Sequence, residues 1–261
     1  MAQITGFLPK NRRFGGYLIY RRNGKNFLRE YNPGITKKRL MTDPNMVRLR
    51  ENMNMFTCLS RATTAFAYAI APQLKFSDGT IRNRIMKLLA NIRKASSSRR
   101  DKPSVLISQC KHLLTGFELN NNMPMESVCK LYTESTMSAD RKSSVLYAML
   151  SPMVKESFPQ ATHFRLVRFL GVVSDTIFDE ITGKFVPASP AVNGIHATTE
   201  TDFIPVDASA PEITLRTRLP VATLPPAAVA LELLGIEFFK EEGGRYKPVN
   251  GARAMKIVDA F

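Results

Sequence analysis

The chain has no tryptophan, only three histidines and only three cysteines in 261 residues. It has no uninterrupted apolar run near the ~18 residues of a membrane-spanning helix. Cys58, Cys110 and Cys129 are odd in number, widely spaced and set among apolar neighbours, which argues against a disulfide framework and for a reducing, cytoplasmic setting. The first residues, Met1 to Phe7, lack the basic, apolar and small-residue pattern of a secretory signal. There is no C-x-x-C, H-E-x-x-H, G-x-S-x-G, P-loop or G-x-G-x-x-G string. His112 and Cys110 lie two apart, a spacing that does not face on a helix. Neither a zinc site nor a cysteine nucleophile is expected. Carboxylates gather only in the second half, at spacings that suit exposed loops and strand faces. The expectation is therefore no enzyme, no metal and no cofactor.

Acidic residues are scarce where basic ones are dense. Residues 1–100 hold 21 Lys+Arg against 4 Asp+Glu, a net of +17, while residues 101–261 hold 16 against 18, a net of −2. The whole net charge of +15 thus belongs to the first hundred residues. Such asymmetry points to a polyanionic partner for the basic half, nucleic acid first and an anionic membrane surface second. An acidic protein partner or a solubilising surface are the blander readings. At 44% apolar and 23% charged residues, the chain has the composition of a folded protein.

Asn23-Gly24 between Tyr17–Arg22 and Lys25–Tyr31 is a two-residue hairpin signal, because a type I′ turn needs positive φ at both central positions. That loop sets the register. Arg22 opposes Lys25, Tyr20 opposes Phe27 and Leu18 opposes Arg29 on one face, with Tyr17/Glu30, Ile19/Leu28 and Arg21/Asn26 on the other. The first face combines two rings with cationic side chains, Arg13 among them. It suits stacking and phosphate contact, or simple cross-strand packing. Asp43-Pro44 starts a helix whose stripe Met46, Leu49, Met53, Phe56, Leu59, Thr63, Phe66 and Ile70 is expected to be buried, ending at Pro72. Ser77-Asp78-Gly79 opens a second, basic amphipathic helix that buries Ile81, Ile85, Leu88, Leu89 and Ile92. Ser96 to Pro103 reads as a polar linker, and a third helix is expected over Ser104–Leu114.

Beyond Phe117 the period changes. Val145–Leu150, Thr162–Val173, Lys184–Val186, His196–Ile204, Glu212–Leu219, Val229–Lys240, Arg245–Val249 and Ala254–Phe261 read as strands, with hairpin turns at Asn193-Gly194 and Gly243-Gly244. The expected class is α+β. A basic hairpin-plus-helices module over 1–102 precedes an antiparallel β-sandwich over 103–261.

The string Arg13-Phe14-Gly15-Gly16-Tyr17-Leu18-Ile19-Tyr20-Arg21-Arg22-Asn23-Gly24-Lys25, followed by Pro33-Gly34, Thr42 and Arg50, resembles the start of a family of uncharacterised bacterial proteins. The runs Leu114–Asn120, Ala161–Leu166 and Leu234–Phe239 are similar to the rest of that pattern. The resemblance implies an N-terminal helical module followed by a β-rich one, and no activity. In general shape the chain also resembles small virion- or tail-associated proteins of prophage-like regions.

Two functional classes follow. One is a non-enzymatic binding protein that contacts DNA or RNA largely without sequence specificity, because no recognition-helix motif is present. Its candidate contacts are Arg12, Arg13, Arg21, Arg22, Lys25, Lys37, Lys38, Arg39, Arg82, Arg84, Lys87, Arg93, Lys94, Arg99 and Arg100. The other is a structural subunit of a bacterial or phage-like assembly, a homo-oligomer that self-associates through its β domain.

Overall fold

A computed structural model describes residues 2–4, 13–32, 34–96, 99–152, 158–208 and 212–261. The chain divides into two compact units, Met1–Arg50 and Glu51–Phe261.

The first unit is a small antiparallel sheet and a short helix. Strands β1 (Ala2–Ile4), β2 (Arg13–Phe14), β3 (Tyr17–Arg22) and β4 (Lys25–Glu30) lie in the order β1-β4-β3-β2. The β3–β4 pairing is the one set by the two-residue loop: Arg22↔Lys25, Tyr20↔Phe27 and Leu18↔Arg29. Asn23 and Gly24 have φ of 49° and 76°, as a type I′ turn requires. Helix α1 (Lys37–Thr42) follows, with Thr36 Oγ1 accepting from Arg39 N as its N-cap. Asp43 caps a 3-10 turn over Pro44–Met46 rather than the long helix itself. The Arg50 guanidinium donates to the Leu40 and Asp43 carbonyls at 2.7 and 3.0 Å, tying the turn to α1.

Helix α2 (Val47–Ala69) buries Cys58, Leu59, Ala62, Thr63 and Phe66, and Ile70 just beyond it. The first half of its expected stripe is not buried: Leu49, Met53 and Phe56 are exposed. Their spacing is helical, but a face is buried only where another element covers it. Helix α3 (Ile81–Ala95) buries Ile81, Ile85, Leu89 and Ile92 as its periodicity predicts, while Leu88, expected with them, is half-buried at the edge of the stripe. The third helix is absent. Residues 104–114 hold instead two 3-10 turns, Ile107–Gln109 and Lys111–Leu113. Val105 forms a β-bridge to Thr176, and the Asp175 carboxylate accepts from Ser108 N and Oγ at 2.8 and 2.6 Å. Those bonds hold the segment extended and then turned, which outweighs its helical spacing.

The strands are β5 (Cys129–Met137), β6 (Ser143–Pro152), β7 (His163–Ser174), β8 (Thr176–Asp179), β9 (Lys184–Pro187), β10 (His196–Glu200), β11 (Ile204–Pro205), β12 (Glu212–Arg218), β13 (Ala228–Glu242) and β14 (Arg245–Ala260). A five-stranded sheet runs β10-β7-β13-β14 with β11 beside β7, and a three-stranded sheet runs β12-β6-β5. The expected strands Arg245–Val249 and Ala254–Phe261 are one strand with bulges in its pairing to β13. Strand β5 is not among the expected strands, because the hydroxyl residues Thr133 and Ser135 interrupt its inward apolar positions and blur the alternation.

Both long central strands are covered on two sides. Val167, Phe169 and Val173 of β7 join Val229, Leu231 and Leu233 of β13 in a core with Phe66, Ile85, Leu89 and Ile92. Phe164 and Leu166 join Leu234, Ile236 and Phe238 against Leu146, Ala148, Leu150 and Leu215 of the second sheet. Burial on both faces explains why β13 is buried continuously from Ala228 to Phe239. The second unit is thus a helical layer, a five-stranded sheet, a three-stranded sheet and the two-stranded sheet β8-β9, and the α+β class holds. The boundary expected at residue 102 falls inside this unit. Asn54 of α2 donates to the Asp101 carbonyl at 3.0 Å, and the Cys58 thiol donates to Pro103 O at 3.4 Å.

Residues 116–119 pair with the edge of β14 through Gly116 N to Ile257 O and Leu119 N to Met255 O, both 2.8 Å. Within this segment Glu118 Oε1 accepts from Met125 N at 3.2 Å, while Oε2 is buried without a partner among the described residues. Burial pushes this carboxyl up to about 7, against smaller opposing effects from the Met125 N–H, Lys256 and Arg84 and a reinforcing one from Glu126. A raised carboxyl pKa means that ionisation opposes folding. The stability held by the neutral form is complete below the ordinary value of 4.5 and is lost as pH rises through about 7. Glu118→Gln should remove that loss, so its urea midpoint relative to wild type rises across this window. A constant difference between the two proteins over the same pH range would refute the assignment.

Candidate nucleic-acid interface

The β3–β4 hairpin sorts its side chains by parity. One face carries Leu18, Tyr20 and Arg22 from β3 and Lys25, Phe27 and Arg29 from β4, with Arg13 of β2 opposite Leu18. Tyr20 and Phe27 stack with centroids 5.7 Å apart at 25°. The Arg29 guanidinium lies over the Tyr20 ring at 5.5 Å, and Arg13 lies over Tyr31 at 3.8 Å. Arg13, Arg22, Lys25 and Arg29 are exposed, and the rings are half-buried. The reverse face holds Ile19, which is buried, and the carboxylate Glu30, opposite Tyr17. Period-two alternation therefore separates four cations and two rings from the acid of the same hairpin.

The remaining candidates are dispersed. Arg12 lies outside the described residues. The Arg21 side chain is on the reverse face, its Nε donating to Gly24 O at 3.2 Å. On α1, Lys37 and Lys38 are exposed, whereas Arg39 pairs with Asp43 at 3.2 Å. The Asn45 N–H and then the Arg39 guanidinium hold the Asp43 carboxyl below the usual carboxylate range. On α3, Arg82, Lys87 and Lys94 are exposed and Arg93 is half-buried. Arg99 pairs with Asp101 at 2.7 Å, and Arg100 is exposed. Arg84 has a structural task. Its Nε donates to Thr80 Oγ1, Nη1 to Glu118 O and Asn121 Oδ1, and Nη2 to Asp78 Oδ2 and Leu119 O. All five N–H groups of the fork are engaged, fastening residues 118–121 to α3.

Arg29 stands on this face although it is not among the expected contacts. Its signal was the hairpin register itself, which places it diagonally across from Tyr20 on the cationic face. Cys58, Cys110 and Cys129 are buried and unbridged, and burial pushes the thiols of Cys58 and Cys129 up to about 12. Among the described residues, no group of three or more His, Cys, Asp or Glu is placed to hold a metal ion. No described helix is long and apolar enough to cross a membrane. Comparison of the chain with models of protein families and with curated proteins gives no match.

Proposed function

We propose that this is a non-enzymatic nucleic-acid-binding protein whose first unit grips the phosphate backbone largely without reading sequence. The observation that supports this reading is the hairpin face: Arg13, Arg22, Lys25 and Arg29 surround a stacked Tyr20–Phe27 pair, with the only hairpin carboxylate turned to the other side. Cations on a flat strand face meet phosphates, and rings beside them accept bases of any kind. A cytoplasmic location belongs to the same reading, on the strength of three buried, unbridged thiols.

Four phosphates neutralised by these four side chains give a slope of about −4 for log K against log salt on duplex DNA. Replacing Arg22, Lys25 and Arg29 together by Gln should weaken binding equally for unrelated sequences and flatten the slope by about 2 to 3. Circular dichroism must first show the variant folded. Wild-type protein with no affinity for DNA or RNA at low salt would end this proposal.

A second reading, a self-associating assembly subunit, is favoured by one observation. The outer face of the three-stranded sheet exposes Tyr132, Val145 and Met149, with Tyr132 and Met149 as cross-strand partners. Side chains of the five-stranded and three-stranded sheets share one core, which supports reading this part as a β-sandwich, an architecture that suits such assembly. A defined oligomer in light scattering, lost in Met149→Asp, would favour it over the first.

A further inference from the structure

A cavity of about 430 Å³ opens between α3 and the segment 116–121, lined by Arg84, Lys87, Leu88, Asn91, Phe117 and Asn121 among others. Ligand cavities begin at about 300 Å³, so it is large enough for one small organic unit. Its polar side chains are a guanidinium, an ammonium, two amides and one carboxylate. The Arg84 guanidinium, its five N–H groups all engaged, lies over the Phe117 ring at 5.3 Å and is only 17% exposed. Its N–H edge is therefore spent and one side of its plane rests on Phe117, so what is left to a ligand is the opposite side of the plane, a flat cationic surface of the kind on which nucleobases stack. Lys87 and Asn91 stand four residues apart on one face of α3, both exposed. The first supplies a compact positive charge suited to phosphate, the second an amide that both donates and accepts. Leu88 and Phe117, half-buried against the core, complete an apolar floor. The one carboxylate of the wall, Glu118, is turned toward the 124–128 turn, where it accepts from Met125 N.

We propose that this cavity binds a single phosphate-bearing nucleotide unit, its base against the Arg84 plane, its edge on the Asn91 amide and its phosphate on Lys87. The inference builds on the nucleic-acid reading but uses a different surface. An unstacked nucleotide of a single strand and a free nucleotide share the chemistry, and a fully paired duplex cannot offer it.

The test measures binding of a fluorescein-labelled 12-nucleotide single strand, its duplex, a nucleoside monophosphate and inorganic phosphate to four proteins. These are wild type, Asn91→Leu, Lys87→Gln and the Arg22/Lys25/Arg29→Gln variant. Asn91→Leu keeps the shape and charge of the side chain and removes its amide donor and acceptor. It should weaken single-strand binding about tenfold, the scale of one lost amide contact to a base edge, and leave duplex binding as it was. Lys87→Gln should weaken binding of the single strand and of the monophosphate. Monophosphate bound in the cavity while the single strand is insensitive to Asn91→Leu assigns the site to free nucleotides. Loss of binding in the hairpin variant with no effect of Asn91→Leu or Lys87→Gln on any probe overturns the cavity proposal and leaves the hairpin reading standing. Cavity-dependent binding that survives in the hairpin variant does the reverse. Inorganic phosphate that displaces the monophosphate at equal concentration overturns the base contact.

Discussion

Glu232→Gln is expected to destabilise the chain by about 3–5 kcal/mol, the loss seen when one partner of a buried ion pair is removed. Arg168 of β7 and Glu232 of β13 are both 0% exposed. They lie on the face turned to the three-stranded sheet, with Nε of Arg168 donating to Glu232 Oε1 at 2.6 Å. The guanidinium also donates to the Ser144 and Leu215 carbonyls and to Ser144 Oγ, while Ser135 Oγ donates to Glu232 Oε2. Four strands, β5, β6, β7 and β12, thus meet β13 at one charged point within an apolar layer. An amide in place of the Glu232 carboxylate would leave a buried cation without its counter-charge. Removing both charges, in Arg168→Met with Glu232→Leu, should cost less than Glu232→Gln alone, since no unpaired charge remains and Ser135 and Ser144 keep each other at 3.2 Å. Urea denaturation of the three proteins decides it. A loss below about 1 kcal/mol for Glu232→Gln, the range of an exposed pair, would show that water reaches this site.

Gly171→Ala should cost about 1–3 kcal/mol, the usual range for forcing atoms into a filled core. Gly171 is on the helix side of β7, and a Cβ there would lie 2.8 Å from the Ala69 carbonyl oxygen as well as against the Phe169 ring. The ring can turn, although His196, the cross-strand partner of Gly171, stacks on it at 5.4 Å. The carbonyl moves only if the end of α2 moves. Gly79→Ala is the control, because nothing lies within 4 Å of a Cβ at that position. That substitution should stay within about 0.5 kcal/mol of wild type. Equal midpoints for Gly171→Ala and Gly79→Ala would mean that α2 does not rest on β7 at this point.

The elements that could be read from the residues are those whose signal is local. The Asn23-Gly24 turn permits one hairpin register, and that register decides which side chains share the cationic face. Ile81, Ile85, Leu89 and Ile92 recur at helical spacing, and all are buried. The charge asymmetry is a matter of composition alone, so the basic character of the hairpin needed no structure to find it. The same periodicity misled at Met53 and Phe56, because spacing states which residues share a face and not whether anything covers it.

What the tertiary structure alone decided are the matches between distant positions. Arg84 reads as one more cation of a basic helix, yet Asp78, Asn121 and two carbonyls of 118–119 engage its fork and make it a fastener. Arg168 and Glu232 each interrupt an apolar run, and nothing nearby in sequence announces that they meet. Residues 104–114 have helical spacing but take the shape imposed by Asp175 and Thr176, about 70 positions away in the chain. Local propensity is worth tenths of a kcal/mol per residue. A buried carboxylate that accepts two hydrogen bonds outweighs it.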